Sequence, residues 1–407
     1  MQKRALPILF ATLLIDMIGF GMIFPLIPIL FTDPTSHSFL LTGYSPSSQL
    51  LFAGLITAVF GLMQFIAAPI LGELSDVYGR KRLLTIGVGV LAISNLLFGF
   101  SIQIGSLVLL FVSRAIAGLA GANFSIAQAT IADVTLPADR AKNFGLIGAA
   151  FGIGFVLGPL LGGWIAAYAH SASAPFFVAG LLGVLNVLSV SLFLPETNKN
   201  LRAAKKFTML KGIHNIRDAI LDRDARLVYA ASFLFLSGFS FFTSFIGVFL
   251  VQRFHLSEAA VGSFFGASGV LIVITQLFIL RFLSKRYRER TILRVSMIMV
   301  ATGLFLYPFI HTFSHMYIIL PLVAIGNGLT MANMTALVSK GVSPQKQGAA
   351  LGINGSLLAL SQGIAPLVAG IGSGFLGIMA PLFTGSFLIV CAWVVLIFFA
   401  LKRASPR

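Results

Sequence analysis

Long apolar runs separated by short polar segments make up almost the whole chain. Each run is at least 18 residues long, so as a helix it would cross a hydrocarbon layer of about 30 Å. The pattern predicts helices at about 5–30, 50–72, 83–104, 106–132, 143–168, 174–194, 227–251, 259–281, 291–311, 316–338, 347–373 and 378–401. The sequence therefore predicts an all-α membrane protein with twelve transmembrane helices.

The composition agrees with this pattern, because 57% of the 407 residues are hydrophobic and 10% are charged, whereas about 25% are charged in soluble proteins. A formal net charge of +16 would indicate a nucleic-acid partner in a soluble protein, but we expect none here because of how the charge is distributed. Of the 28 Lys and Arg, 26 lie at the termini, in even-numbered loops or at the span ends that border those loops. This asymmetry predicts an inner-membrane protein with both termini in the cytoplasm and with cations that contact anionic lipid headgroups.

The longest polar stretch, 196–226, separates six predicted helices from six. We therefore predict an N-terminal six-helix bundle at 1–195, a cytoplasmic linker at 196–226 and a C-terminal six-helix bundle at 227–407. Apolar residues recur in the linker near helical spacing, between cations. This spacing indicates either an amphipathic helix on the inner leaflet or a solvated helical linker, and both interpretations stay open.

The two halves are similar in sequence at a nearly constant offset. The segment 118–123 recurs at 328–333, 210 residues later, and the segment 158–160 recurs at 365–367, 207 residues later. Duplicated six-helix halves form two pseudo-symmetric bundles, with a substrate site between them near the middle of the membrane and with alternating access. The repeat therefore predicts a secondary transporter.

Asp16 is the only carboxylate well inside a predicted span, about 11 residues into the first helix. At ~1.5 Å per residue it lies near the centre of the bilayer. A charge at that depth costs at least about 2.5–3.5 kcal/mol on insertion scales, so such residues usually face a cavity on a transport pathway. Because burial disfavours the charged form, Asp16 is a candidate proton-coupling site. The alternative is a protonated Asp16 that serves as an interhelical hydrogen-bond donor.

The segment between the second and third predicted spans combines glycines, an acid and cations in the sequence GELSDVYGRKR. Gly72 would allow close packing, Gly79 would permit the positive φ of a tight turn, and Asp76 would bond a helix N-terminus or an arginine. A triplet of cations begins at Arg80. The spacing resembles the signature G-x-L-x-D-x-x-G-R-K/R of the cytoplasmic loop 2–3 in the major facilitator superfamily. The resemblance implies that these four residues form a gate or conformational switch.

Arg114 is the only cation more than four residues from the ends of a predicted span, and it lies near the start of the fourth. Its pattern R-x-x-x-G-x-x-G resembles the fourth-helix signature of the same superfamily, in which the arginine is implicated in proton transfer. A guanidinium in a low-dielectric environment would also favour the ionised form of a nearby carboxylate, so Arg114 is the second proton-coupling candidate. It would pair with Asp16 in only one conformation. The alternative is that Arg114 extends towards the outer headgroups.

The fifth predicted span carries glycines and a proline in the pattern G-x-G-x-x-x-G-P-x-x-G-G. Small residues allow close helix contacts, and a proline kinks a helix because it removes a backbone hydrogen bond. The candidate hinge and seal consists of Gly154, Gly158, Pro159, Gly162 and Gly163. Ordinary tight packing is the alternative. The pattern also resembles the signature of the exporting branch of the superfamily, in which it is thought to close a leak path, so the resemblance implies export.

In the N-terminal half, the sequence resembles one particular group of transporters within the superfamily. The segment DMIGFG at 16–21, Pro25 and Pro28, and the segments at 131–133 and 140–145 are similar to the tetracycline/proton antiporters. Those antiporters carry further membrane acids in the C-terminal half, whereas this chain has none within its spans from the eighth onward. The resemblance implies a drug:proton antiporter, and the single acid predicts no more than one proton per cycle.

Uncharged polar residues within the spans are candidates for the lining of a substrate cavity, because buried amides need hydrogen-bond partners. An aromatic residue of the seventh span joins them, since aromatic rings suit an apolar ligand. The substrate-binding candidates are Gln64, Asn123, Gln128, Phe239, Gln276, Asn333 and Asn354. The repeat places Asn123 and Asn333 at equivalent positions. Structural helix–helix contacts are the alternative for the amides, and core or lipid-facing positions are the alternative for the phenylalanines.

These features predict a secondary active transporter that exports small apolar or amphipathic compounds, drug-like or tetracycline-like, in exchange for protons. The alternatives are a proton-coupled symporter or uniporter for sugars or metabolites and, in another class, a non-transporting membrane receptor or scaffold. The sequence carries no phosphate-binding loop or dinucleotide fingerprint, and its single Cys391 offers no disulfide or metal cluster. We expect no enzyme activity, no cofactor and no metal, and a monomer whose partners are a small molecule, protons and membrane lipids.

Overall fold

The computed structural model describes residues 2–121, 123–135, 140–198, 211–221, 225–340 and 347–404. This part of the chain is helical with connecting turns and contains no β-strand. Twelve of its helical segments are long and apolar enough to cross a membrane. They are numbered here as spans 1–12 in chain order: Ala5–Phe31, Pro46–Tyr78, Arg80–Gln103, Leu107–Val134, Leu146–Tyr168, Ala174–Phe193, Arg226–Phe254, Glu258–Leu283, Glu289–Phe309, Phe313–Ser339, Ala350–Leu376 and Ala380–Phe398. The predicted twelve-helix all-α architecture is confirmed.

Most spans consist of one helix, and four consist of more than one helical piece. The single helices of spans 2, 3, 5, 6, 7, 10, 11 and 12 are Pro46–Tyr78, Arg80–Gln103, Arg140–Tyr168, Ala174–Phe193, Arg226–Phe254, Phe313–Lys340, Gln347–Leu376 and Ala380–Ala404. The pieces of spans 1, 4, 8 and 9 are Gln2–Gly21 and Leu26–Phe31; Leu107–Ala120 and Asn123–Val134; Glu258–Ile274, a π-helical turn Thr275–Ile279 and Leu280–Leu283; Glu289–Leu306 and a 3₁₀ turn Tyr307–Phe309. A shorter helix, Lys211–Leu221, lies in the predicted linker.

The interruptions of spans 1 and 4 have local causes. The second helix of span 1 follows Pro25, which has no N–H and so cannot continue the hydrogen bonding of the preceding helix. In span 4 the first helix ends at Ala120, and its exposed carbonyl groups need partners. Gln64 of span 2 supplies one, because its Nε2 donates to the carbonyl oxygen of Gly121 at 3.1 Å. A side chain of one span thus stabilises the helix break of another.

Two compact units emerge from the contacts of the chain. Unit 1 consists of Met1–Gly43, Val59–Lys211 and Leu256–Gly266, and unit 2 consists of Tyr44–Ala58, Gly212–His255 and Ala267–Arg407. The start of span 2 therefore packs with the second half of the sequence, and the start of span 8 packs with the first half. The division into bundles at 1–195 and 227–407 with a linker at 196–226 stays a prediction.

Close glycine contacts explain why the start of span 2 belongs to unit 2 and the start of span 8 belongs to unit 1. Within unit 1, a Cβ atom on Gly163 of span 5 would lie 3.1 Å from the Cα atom of Gly262 of span 8. Within unit 2, a Cβ atom on Gly54 of span 2 would lie 2.9 Å from the Cα atom of Gly370 of span 11. Paired glycines let two helix backbones approach closely, so each crossing attaches the start of a span to the other sequence half.

The linker helix Lys211–Leu221 exposes apolar side chains. Ile213 and Ile220 are exposed, whereas Ala219 is buried and the Asn215 amide donates to the Ser356 hydroxyl at 2.9 Å within unit 2. The first part of the predicted linker, residues 199–210, lies outside the described residues, as do residues 222–224. The membrane-surface position of this helix stays a prediction.

Candidate functional site

Asp16 lies in the interior of unit 1, next to a hydrophobic core to which spans 1, 3, 4, 5 and 6 contribute. Leu9 and Leu13 of span 1 are almost fully buried in that core, and Asp16 continues the same helix with 7% of its surface exposed. Its Oδ2 accepts a hydrogen bond from Nδ2 of Asn123 at 3.0 Å. Gly87 of span 3 provides the room, because a Cβ atom there would overlap the Oδ1 of Asn123. Three spans therefore fix the carboxylate–amide pair.

Two amide oxygens near the break of span 4 lack protein partners. Within the described ranges, Oδ1 of Asn123 and Oε1 of Gln64 are buried and accept no hydrogen bond. The N–H₂ group of Asn123 donates to Asp16, and the N–H₂ group of Gln64 donates to the Gly121 carbonyl oxygen. An unsatisfied buried acceptor is costly, so this region is suited to a donor that binds only in some states. A protonated carboxyl group or a ligand N–H or O–H would be such a donor.

Arg114 of span 4 is buried against aromatic rings. It is 4% exposed, and its Cζ lies 4.8 Å from the ring centroid of Phe60 and 5.7 Å from that of Phe98. Gly118, one turn further along span 4, allows this approach, since a Cβ atom there would lie 2.5 Å from the Phe60 carbonyl oxygen. No ion pair joins Arg114 to Asp16 among the described residues, whose ion pairs both belong to another arginine.

That arginine is Arg80, at the junction of spans 2 and 3. As predicted, Gly79 has a positive φ, of 96°, and forms the whole connection between the two helices. The Arg80 side chain forms ion pairs with Asp76 and, at 3.1 Å, with Asp133 at the end of span 4. Gly72, one turn before Asp76, is in ordinary contact with span 4. The four residues predicted to form a switch therefore occupy one junction, which Arg80 connects to span 4.

Sequence reasoning missed two acids at this junction. One is Asp133, and the other is Glu196, whose carboxylate accepts hydrogen bonds from the backbone N–H groups of Arg80 at 3.0 Å and Lys81 at 3.1 Å. A Cβ atom on Gly79 would lie 2.5 Å from this carboxylate, so the glycine is needed for its approach as well as for its φ. The signal in the sequence was the position of both acids at span ends that are otherwise flanked by cations.

The glycine pattern of span 5 has one face on span 1. A Cβ atom on Gly154 would overlap the side chain of Met17, and one on Gly158 would lie 2.8 Å from the Cα atom of Gly21. One on Gly162 would lie 2.6 Å from a backbone carbonyl oxygen of span 1. These glycines recur every four residues, so they form one helix face on which two backbones touch. A water-filled gap has no room between these backbones.

The other face of the pattern contacts span 8. The carbonyl oxygen of Pro159 would lie 2.5 Å from a Cβ atom on Gly262, and the Cα atom of Gly163 would lie 3.1 Å from it. The Pro159 ring itself faces span 1, where its Cδ would lie 2.9 Å from a Cβ atom on Gly21. The candidate hinge and seal residues thus all lie in close helix contacts of unit 1.

The remaining substrate-binding candidates lie in different surroundings. Gln128 is half-buried in span 4, and Gln276 is half-buried in the π-helical turn of span 8. Nδ2 of Asn333 donates to the Leu329 carbonyl oxygen of its own helix at 2.8 Å. In unit 2 the other two contact spans of that unit: Asn354 accepts from the Ser232 hydroxyl at 2.7 Å, and Phe239 stacks on Phe235 and contacts Phe242.

Comparisons with known proteins extend the resemblance carried by the motifs. A family model described as Major Facilitator Superfamily matches residues 9–366 and, in a second match, 228–407. The chain is 32% identical over 357 residues to the tetracycline resistance protein, class G, of Vibrio anguillarum, covering 87% of this chain and 86% of that protein. It is 29% identical over 382 residues to the class C protein of Escherichia coli, covering 90% and 89%.

A solved structure agrees with these matches. The human organic anion transporter MFSD10 (TETRAN) aligns with a TM-score of 0.74 and 25% identity, covering 97% of this chain and 99% of that chain. The predicted family is therefore confirmed, and the prediction that the protein is not an enzyme agrees with relatives that are transporters. Together with the twelve apolar spans, these relatives identify an integral membrane protein. The chain belongs to the Major Facilitator Superfamily and is a transporter of small molecules.

Proposed function

We propose that this transporter exports small amphipathic organic molecules in exchange for protons by alternating access. The observation that carries the proposal is the hydrogen bond from Asn123 to the buried carboxylate of Asp16. A carboxyl group in the middle of a membrane helix is stabilised in its neutral form by burial and in its charged form by a hydrogen-bond donor. Asp16 has both influences, so a change in hydration or ligand occupancy would bind or release one proton.

Asn123 is suited to both protonation states of Asp16. Its N–H₂ group donates to the ionised carboxylate. After rotation of the amide, its Oδ1, which has no partner among the described residues, would accept the O–H of the protonated acid. Because the amide can donate or accept, it lowers the free-energy cost of burying either protonation state of Asp16 without a fixed counter-charge. This supports Asp16 as the proton site, and the sequence-based pairing with Arg114 is not needed in this state.

We assign the conformational switch to the junction of spans 2 and 3 and the seal to span 5. Arg80 holds two carboxylates, Asp76 and Asp133, so opening of the junction would separate charged partners and would favour discrete states. The close contact of Gly158 with Gly21, in the helix of span 1 that also carries Asp16, supports a seal role for span 5. These features support a coupled transporter rather than a channel.

Direction and substrate are proposed from the glycine pattern and from the relatives. The relatives include tetracycline resistance proteins and an organic anion transporter, so tetracycline-like compounds and organic anions are the first compounds to test. Export follows from the resemblance of the span 5 pattern to the exporting branch. The proposal includes a monomer in the inner membrane with cytoplasmic termini, as the charge distribution predicts.

Liposomes that contain the purified protein and an internal pH dye test this function. With tetracycline as the probe, we expect an imposed pH gradient to drive uptake against the tetracycline gradient, with protons moving the opposite way. Asp16→Asn should reduce this accumulation to the level of empty liposomes and retain exchange of tetracycline at equal concentrations. Asp33→Asn is the matched control, because Asp33 lies in a loop where its carboxylate accepts from Thr35.

Other outcomes identify the alternatives. Full accumulation by the Asp16→Asn variant would contradict the proton role of Asp16. Movement of protons and substrate in the same direction would identify a symporter, and flux without proton movement a uniporter. If tetracycline and a wider panel of aromatic ions never exceed the flux of empty liposomes, a receptor or scaffold is the better account.

A further inference from the structure

Arg114 is a buried cation that the proton pathway proposed above does not use. Only 4% of its surface is exposed, and its Nε has no hydrogen-bond partner within the described ranges. The hydroxyl group of the preceding residue, Ser113, donates to the Leu110 carbonyl oxygen, and that of Ser94 donates to the Ser113 carbonyl oxygen. A buried charge is costly unless it is paired, so this guanidinium is suited to an anion that is not part of the resting structure.

Two aromatic rings form cation–π contacts with the guanidinium. The Cζ of Arg114 lies 4.8 Å from the centroid of Phe60 and 5.7 Å from that of Phe98. Cation–π contacts engage the flat faces of a guanidinium, whereas its N–H groups lie in the plane. The rings therefore stabilise the cation without using its donors. The Nε–H, which has no partner within the described ranges, is therefore suited to a planar anion such as a carboxylate, which a guanidinium binds in a bidentate manner.

A row of further rings continues from Phe60 within unit 1. Its ring centroid lies 5.1 Å from that of Phe20, and Phe20 lies 5.4 Å from Phe24. Phe24 in turn lies 5.7 Å from Phe265 of span 8. Stacked and edge-on rings at these distances are favourable surfaces for another aromatic ring. The structure thus places a cation with an unpartnered Nε–H at one end of a continuous row of aromatic rings.

We propose that Arg114 binds the anionic group of the transported substrate and that Phe60 and the rings beyond it contact the aromatic part. The ligand class is an aromatic organic anion, such as an arene carboxylate or sulfonate. This inference rests on the proposed transport function and adds a substrate class to it. The anion site is separate from the proton site, because Asp16 bonds Asn123 and forms no ion pair with Arg114 among the described residues.

A matched pair of probes tests the anion site directly. The probes are 2-naphthoate and its neutral amide, 2-naphthamide, titrated calorimetrically into the purified full-length protein in detergent. The wild type should bind 2-naphthoate at least about tenfold more tightly than the amide, because a bidentate ion pair adds to the ring contacts. Arg114→Gln should remove this preference and leave the affinity for 2-naphthamide within about twofold. Arg114→Lys should retain part of it, since lysine keeps the charge and loses the planar fork.

A second variant distinguishes the contribution of the charge to binding from the contribution of the rings. Phe60→Leu should weaken both probes by a similar factor, because it removes an aromatic contact that both probes share. The wild-type preference between the probes decides the matter even if Arg114→Gln does not fold. Three results would overturn the proposal: equal affinity of the wild type for both probes, no measurable binding of 2-naphthoate, or equal weakening of both probes by Arg114→Gln.

The Asp16→Asn variant distinguishes this inference from the proposed antiport. If the anion site is correct, this variant keeps the preference for 2-naphthoate and the Arg114→Gln variant loses it. Loss of the preference in Asp16→Asn would show that one site serves both roles and would contradict separate positions. If proton-driven accumulation fails in the wild type while the anion preference is measured, the antiport proposal falls and the anion site stands.

Discussion

Asn123 and Asn333 occupy equivalent positions in the sequence repeat, and both are 3% exposed. Their hydrogen bonds differ: Asn123 donates across to Asp16 of span 1, whereas Asn333 donates to the Leu329 carbonyl oxygen of its own helix. The two positions are therefore equally buried, but their side chains have different hydrogen-bond partners. The repeat preserves the burial of this position, and the proposed proton coupling uses the ionisable partner that only one copy contacts.

The junctions between spans show the same difference. At the junction of spans 2 and 3, Arg80 is paired with two carboxylates, and Glu196 accepts from the first N–H groups of span 3. At the equivalent junction of spans 8 and 9, the N-cap residue Arg288 makes no side-chain capping hydrogen bond, and Arg286 lies over the ring of Phe282 at 4.4 Å. The first helix start therefore has a carboxylate cap from Glu196, and Arg288 supplies no such cap at the second.

The largest expected difference between the halves follows alanine substitution of the two asparagines. Asn123→Ala removes a hydrogen bond to a buried carboxylate, and such bonds contribute about 1.5–3 kcal/mol, so we expect a loss of about ten- to a hundredfold in proton-driven accumulation. Asn333→Ala removes a bond within one helix and should cost less than about threefold. The measurement is pH-gradient-driven tetracycline uptake into liposomes at matched protein density. Equal losses would contradict the assignment of the coupling chemistry to unit 1.

The fold was predictable because the bilayer imposes a length and an apolar composition on every span. The end of the first helix of span 4 at Ala120 was not predictable, since the run at 106–132 reads as one helix and hydrophobic periodicity does not report where a helix ends within an apolar run. The compensating amide of Gln64 comes from another span, and that contact exists only after folding. The exchange of the starts of spans 2 and 8 between the units was missed for the same reason, because it depends on close glycine crossings.

The site was predictable to the extent that charges are rare in apolar runs. Asp16 and Arg114 were identifiable for that reason, and their partners were not. Asn123 was one of seven substrate-binding candidates, and only packing across spans shows that it bonds Asp16. Glu196 was missed, because its partner is the backbone of a helix start and backbone N–H groups leave no mark in a sequence.

A smaller difference is expected between the glycines of spans 5 and 11. Gly158→Ala would place a methyl group 2.8 Å from the span 1 backbone, and overpacking of this kind costs about 1–3 kcal/mol, so the thermal midpoint should fall by several degrees. Gly355→Ala in span 11 is the matched control, since a Cβ atom there meets no described atom within 4 Å. Alanine is the better helix former, so this control should be neutral or stabilising by up to about 1 kcal/mol. Both midpoints are measured by intrinsic fluorescence in the same detergent, and a neutral Gly158→Ala would remove the argument for a tight seal.

The smallest expected effect concerns the helix starts of spans 3 and 9. Glu196→Ala removes the carboxylate that accepts from the N–H groups of Arg80 and Lys81, and loss of such a cap costs about 1 kcal/mol. Glu196→Gln keeps an acceptor and loses the charge that favours a helix N-terminus, so it should lie between the wild type and the alanine variant. Arg288→Ala, at the equivalent helix start, removes no side-chain cap and should change the thermal midpoint only within error. If Glu196→Ala and Arg288→Ala gave the same midpoint, the first junction would gain nothing from its additional acid, and the difference between the two junctions would reduce to the ion pairs of Arg80.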